Sequence, residues 1–470
     1  MKFIYTLLGG MVLVSSCNKF LDKQPEHNLT LENAVTSYAG AQNALNGMYS
    51  TVQSSALGGD MMVPFSSMAG MYTGGVTADF QMSYRQGNAA ERGGAWVALY
   101  AAINAANSTI IAITSLDDAK FPSAEPGRKK AMIAEARLYR AWNYSLLLWT
   151  RCQWWGEDKN PYGLIYRTQM SNLANLQSPR LTVGESYAKI FEDIDDAIAN
   201  APDFRSSRYL SKQMAQVLKA KLMLYRGKGN DYADALAIVQ SLKPKIVMEP
   251  NLKTLYQQAW DSKEVLWSRY LEPVGRTQLD FPYSYNLIYN NTYNEQYAGP
   301  WLKNDPRYPA ISGIDRAPET WDERTFETLT KLAQRGRVTG PEDKYATYYF
   351  RWAELYLMES ELIARTGGTV TDALKPLNAM RAARTSISLP ALTANTKEEL
   401  YDLLFKEIWT ELCLENGSEW FASLRFMKDG KPWVYTLKPD VSFDQNKYCL
   451  PIPDAEMKTN KLAVQNPGLE

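Results

Sequence analysis

In residues 345–384, YATYYFRWAELYLMESELIARTGGTVTDALKPLNAMRAAR, apolar positions recur at three- and four-residue steps, and a glycine pair interrupts them. The spacing predicts a long helix over Tyr345–Thr366, a turn at Gly367-Gly368 and a second helix over Thr371–Arg384 carrying Ala373, Leu374, Leu377 and Met380. Neither helix can cover its own apolar face, so such a pair must stack on others.

The same unit occurs upstream. Lys212–Arg226 carries Met214, Val217, Leu218, Lys221, Leu222 and Tyr225 on one face; Gly227–Asn230 reads as a turn and Tyr232–Ser241 as a second helix. Arg128–Thr150 places Ala134, Leu138, Ala141, Trp142, Ser145 and Trp149 along one side, and Glu398–Glu415 is a further long helix with Asn416-Gly417 as its stop signal. Helix–glycine–helix units of about 34 residues resemble tetratricopeptide repeats. The expected fold is therefore mostly α, a tetratricopeptide-like scaffold of at least three stacked pairs, with little strand, confined to inserts.

Composition excludes several classes. Basic and acidic residues number 51 each, which gives no electrostatic footprint for nucleic acid. Past the N-terminal stretch, no segment reads as apolar enough to span a bilayer. His27 is the only histidine, which removes Ser-His-Asp and Cys-His catalysis and histidine metal sites. Gly184-Glu185-Ser186-Tyr187-Ala188 has the outline of a nucleophile elbow without a base; Thr182 and Glu185 read instead as a capping box opening a helix over Ser186–Asn200. Gly227-Lys228-Gly229 lacks the third glycine of a dinucleotide loop and follows a helix. No catalytic constellation, cofactor or metal site is expected.

The N-terminus locates the protein. Lys2, an apolar run from Phe3 to Val14 and the small residues Ser15 and Ser16 before Cys17 describe a signal peptide over 1–16, too short to span. Cys17 is the expected lipid-attachment residue, residues 17–30 a tether, and 31–470 a single domain. Asn18 gives no inner-membrane retention signal, so the expected address is the outer membrane. Cys152, Cys413 and Cys449 are far apart and read as buried free thiols.

Two inserts interrupt the scaffold, near 50–94 and 259–337. The first holds eight glycines between Gly58 and Gly94; the second is rich in Pro, Asn and aromatics. Tyr285, Tyr289, Tyr293, Tyr297 and Trp301 are four apart, with Asn286, Asn290, Asn291 and Asn294 between them. On a helix they form one stripe; an extended segment would split it. The stripe either packs on the scaffold or, since Tyr and Trp faces stack on sugars while amides bond hydroxyls, forms a glycan platform. Candidate stacking residues are Tyr289, Tyr293, Trp301, Trp321 and Trp96, with Asn290 and Asn294 as hydrogen-bonding candidates.

Several motifs together resemble the SusD/RagB family of outer-membrane nutrient-binding lipoproteins. They are Cys17-Asn18-Lys19-Phe20-Leu21-Asp22; Trp96, Tyr100, Ile103 and Asn107; Ala134-Glu135-Ala136-Arg137; Ser178-Pro179-Arg180-Leu181-Thr182 with Tyr187, Ile190, Asp193 and Ala197; Arg351–Leu357 with Asn378, Arg381 and Arg384; and Leu450-Pro451-Ile452-Pro453 with Glu456, Asn460 and Gln465–Gly468. Glu407-Ile408 and Glu419, Ser423, Leu424 and Arg425 depart from the family pattern at positions that read as packing and ion-pair sites. The resemblance implies a non-enzymatic, surface-exposed binder that captures an oligosaccharide; stacked aromatics with a few hydrogen bonds in an open groove would bind it at roughly micromolar to millimolar affinity. It also implies delivery to a SusC-like TonB-dependent transporter. Rival readings are a peptide binder feeding the same kind of transporter, a lipid-anchored glycoside hydrolase using two carboxylates, and a structural assembly protein.

Overall fold

The computed structural model describes residues 35–54, 93–172, 174–270, 299–311, 344–438 and 444–469, with shorter pieces at 57, 65, 68–69, 72–73, 278–279, 292–293, 313–316, 325–328 and 331. Cys17, His27, the tether, Tyr289, Asn290, Asn294 and Trp321 lie outside them.

The N-terminal helices are α1 (Tyr38–Ser50), α2 (Gly93–Ser115), α3 (Arg128–Arg151), α4 (Val183–Asn200), α5 (Lys212–Arg226), α6 (Asp231–Leu242) and α7 (Leu252–Gln258). The short α8 (Gly299–Lys303) and α9 (Tyr308–Ile311) follow. The C-terminal set is α10 (Ala353–Arg365), α11 (Val370–Ala383), α12 (Lys397–Leu412), α13 (Ser418–Arg425), α14 (Val434–Leu437) and α15 (Asp454–Thr459). Each of α1 to α5 packs on the next, α1 on α2 and so on; α10 then packs on α6 and carries α11 and α12. Stacked pairs are thus the architecture, as the repeats predict.

Local signals explain the helix ends. Thr182 and Glu185 form the capping box, so α4 starts at Val183, three residues before the expected Ser186. Gly227 holds φ +59° between α5 and α6, and a Cβ there would strike Tyr232. Gly367 holds φ +89° between α10 and α11, a conformation that favours glycine although a Cβ there would meet open space.

Five expectations need correction. Tyr345–Arg351 is not helical: β4 (Tyr348–Arg351) pairs antiparallel with β2 (Val265–Ser268), all eight residues buried. The aromatic and β-branched run from Thr347 to Phe350 suits a strand, and helix begins only at Ala353. Strand is therefore not confined to the inserts, and a hairpin at 427–428 and 431–432 adds to it. The helix expected over Glu398–Glu415 stops at Leu412, because the chain turns through Leu414 at φ +66° and sends Glu415 toward Arg351. Gly417, at φ +74°, opens α13 rather than closing α12. Finally, α2 is long and apolar enough by length and composition to cross a membrane; it packs on α1 and α3 as a core helix.

The centre of the molecule is α3. From Leu138 to Arg151 every residue is buried, not one face alone. A helix buried all round must satisfy its polar groups internally. Arg140 forks onto Asp193 at 2.8 and 2.7 Å and reaches Asn107, while Arg151 donates to the Pro451 carbonyl. Ser145 and Thr150 donate to carbonyls one turn back. The C-terminal tail closes over the same region: Asn466 donates to the Arg151 and Leu450 carbonyls, and Asn460 pairs with Ser178 in both directions. Chain ends distant in sequence are thereby one body. Cys152, Cys413 and Cys449 are buried free thiols.

Candidate functional site

The scaffold ends in a buried charge cluster. Arg307, Lys331, Arg351, Arg381 and Arg384 are matched one for one by Asp305, Glu264, Glu407, Glu411 and Glu415. Arg351 forks onto Glu415 at 2.9 and 2.8 Å and also reaches Glu264 and Glu411. Arg384 bridges Glu264 and Glu411. Burial pushes the Glu411 carboxyl up, but Arg384, Arg351 and Arg307 around it overcome that and hold it well below the carboxylate range. Lys331 is likewise pulled down by burial and held charged by Glu415. Ions this deep persist only when paired.

This cluster anchors the second insert. Arg307 and Lys331 belong to that insert, whereas Glu407 and Glu411 lie on α12 and Glu415 just beyond it. Beside them Leu302 and Ile311 are fully buried, and the Trp301 ring sits among Trp409, Trp433 and Phe405 with centroids 5.6, 6.3 and 6.4 Å away.

The first insert is anchored on the scaffold and on Arg269 of the second insert. Tyr349 donates to the Leu57 carbonyl at 2.6 Å, Arg269 to Val52 and Lys438 to Met68. Phe65 lies against Phe421 and over Gly417, where any Cβ would come within 3.0 Å of the ring. The two inserts then meet: β1 (Tyr72–Thr73) pairs antiparallel with β3 (Thr292–Tyr293), Tyr72 opposite Tyr293. Two segments distant in sequence are thus joined beside a helical base, and loops held by such a base commonly carry binding surfaces.

The sequence candidates fall into three groups. Tyr289, Asn290, Asn294 and Trp321 lie outside the described residues. Tyr293 is extended in β3 whereas Trp301 is on α8, so the aromatic residues do not share one continuous helix; at this point the extended alternative holds. Trp301 is half-buried, and Trp96, on α2, is only 7% exposed with its ring 4.7 Å from that of Tyr100. Tyr100 in turn donates to the Ile165 carbonyl. Ser186, of the elbow-like stretch, is buried within α4 and donates to Thr182. Among the described residues no group of His, Cys, Asp or Glu is placed to hold a metal.

Sequence reasoning missed the insert side of the charge cluster. Arg351, Arg381 and Arg384 stood in a motif; Arg307 has one local partner, Asp305, but its partners on α12 and those of Lys331 lie 80 to 104 residues away.

Comparison with known proteins follows this geometry. The pattern described as "Starch-binding associating with outer membrane" matches residues 19–221, and that of the SusD family matches residues 283–469. No curated protein matches. Among solved structures, a SusD superfamily protein from Bacteroides thetaiotaomicron is 18% identical, covers 92% of this chain and 100% of its own, and gives a TM-score of 0.74. Surface glycan-binding protein A from Bacteroides uniformis is 17% identical, with 91% and 99% covered and a TM-score of 0.69. A laminarin-binding SusD-like protein is 20% identical, with 92% and 100% covered and a TM-score of 0.66. At these identities the structures speak for the fold, and the two pattern matches cover most of the sequence in the order its motifs predict. The chain belongs to the SusD/RagB family.

Proposed function

We propose that this protein is a carbohydrate-binding, outer-membrane-associated protein that captures an oligosaccharide without turning it over. The observation that carries the reading is the pairing of Tyr72–Thr73 with Thr292–Tyr293, which joins two inserts anchored on one helical base; together they supply the binding layer. Such a base loses little ordering entropy on binding. The names of the similar structures, one laminarin-binding and one glycan-binding, support the same ligand class.

Within that layer the stacking candidates are Tyr289, Tyr293 and Trp321, with Asn290 and Asn294 bonding hydroxyls. Trp301 and Trp96 contribute whatever ring face their packing leaves open. Cys17 carries the lipid that holds the protein at the cell surface, and a SusC-like TonB-dependent transporter receives the ligand. Open stacking sites bind weakly, at roughly micromolar to millimolar Kd, which suits a protein that hands its ligand on.

Calorimetry on the Cys17→Ala chain with maltooligosaccharides and laminarioligosaccharides tests this. Saturable binding with no change in chain length of the sugar is the expected result. No binding to either series, or release of shorter products, would refute it. In cells, Cys17→Ala should leave the membrane fraction, and the native chain should copurify with a barrel-forming outer-membrane protein.

A further inference from the structure

Beneath the seat of the first insert lies a small space of about 20 Å³, lined by both apolar and polar side chains. Its polar lining comes from four residues on α5, α10 and α13 together with Glu361: Lys221, Glu354, Ser418 and Arg425. The Arg425 side chain is nine-tenths buried. Its Nη2 donates to Glu361 at 3.0 Å, and its guanidinium lies 4.3 Å from the centre of the Tyr225 ring. Its Nε and Nη1 are buried with no acceptor. An arginine cannot shed its proton, so those donors require one.

The lining selects the acceptor by charge and size. Lys221 pairs directly with Glu354, and Arg425 shares Glu361 with Arg365. Each cation at the space already faces a carboxylate, which does not favour a further ion. Acceptor capacity is also open: Lys221 reaches the Ser418 hydroxyl only at 3.3 Å, and that hydroxyl reaches Glu354 only at 3.4 Å. The occupant must therefore accept from arginine and donate to a carboxylate or hydroxyl. A water molecule needs about 10–15 Å³ of such space.

We propose that this space is the binding site of one structural water molecule, accepting from Arg425 and donating to Glu354 or Ser418. The site completes a network that reaches Asn416, whose amide donates to Glu354 at 3.1 Å and whose carbonyl oxygen accepts from Ser418. The turn so fixed, 416–418, is the one on which Phe65 of the first insert rests. The water thereby holds the seat of that insert, whatever ligand the insert serves.

A crystal structure of the mature chain showing ordered solvent tests the site, with bromide replacing chloride in half the crystals. One peak is expected within about 2.7–3.2 Å of Arg425 Nε or Nη1 and of Glu354 or Ser418, with no anomalous bromide signal. An empty site among well-ordered neighbours, or a bromide peak, overturns the proposal. Arg425→Met, which keeps the length of the side chain and removes its donors, should abolish the peak; a peak that persists in place would also overturn it. The native crystals decide the matter if that variant does not fold.

Discussion

Arg307 donates from both terminal nitrogens to Glu407, at 2.9 and 2.8 Å, with the guanidinium fully buried. The two residues are 100 positions apart, one in the second insert and one on α12. Glu407 also accepts from Arg381 on α11, so one carboxylate fastens the insert to two scaffold helices.

Removing either partner should therefore be costly. Arg307→Met leaves Asp305 and Glu407 short of a counter-charge, and breaking a buried pair in this way costs about 3–5 kcal/mol. Arg307→Lys keeps the charge but loses the fork, so it should fall between the two. Urea denaturation measures both. A loss for Arg307→Met no larger than that of an exposed pair, under about 1 kcal/mol, would show that the insert is not held here.

Acid should act through Glu411. Burial opposes its charge, but Arg384, Arg351 and Arg307 leave its folded-state pKa well below the ordinary 4.5. A carboxyl depressed in this way stabilises the fold above the unfolded value, and the contribution is lost as pH falls below about 4.5. Glu135 and Asp193 are shifted the other way, raised by burial, and so favour the fold in acid. The comparison must then be made within one residue. Melting temperatures of native and Glu411→Gln chains should differ most near neutral pH and converge as pH drops below about 4.5. A constant gap across that range would remove Glu411 as the acid-sensitive group.

The scaffold was legible because helix pairs announce themselves locally. Lys212–Arg226 was found to the residue, and Gly227 sits where the turn needed it. What misled was the stretch 345–351, where aromatic spacing fits a helix, but pairing with Val265–Ser268 decides for strand. A partner some 80 residues away leaves no local trace. The aromatic stripe raises a related point: spacing by four says helix only if the backbone is helical, and at Thr292–Tyr293 the chain pairs with Tyr72–Thr73 instead. Arg307 and Lys331 were invisible, since a buried charge and a surface charge are the same letter.

The thiols offer a test of core integrity. Burial pushes the Cys152 thiol up to about 11 and that of Cys413 to about 12, and raises Cys449 too. Thiolates are the reactive form, so at pH 8 all three should resist a disulfide reagent in the folded Cys17→Ala chain. They should react together once the chain is denatured. Rapid labelling of one thiol in the native state would mean that its surroundings open.

Trp301 and Trp321 should separate packing from binding. Trp301 meets the rings of Phe405, Trp409 and Trp433 edge-on, and its indole nitrogen is buried without a partner. It is a pillar of the second insert, so Trp301→Ala should lower stability by about 3 kcal/mol, the low end for a tryptophan because the ring is only half-buried. Trp321→Ala and Tyr289→Ala should leave the melting temperature unchanged. If these rings stack on sugar, each loses about 1–3 kcal/mol of binding, judged by base stacking, a tenfold to hundredfold drop in affinity. Melting and calorimetry on the same three variants, with whichever oligosaccharide series binds, give the answer. An unaltered melting point for Trp301→Ala together with a tenfold loss of affinity would make Trp301 the platform and not the pillar. Unaltered affinity in both Trp321→Ala and Tyr289→Ala would move the sugar to a different part of the loop layer.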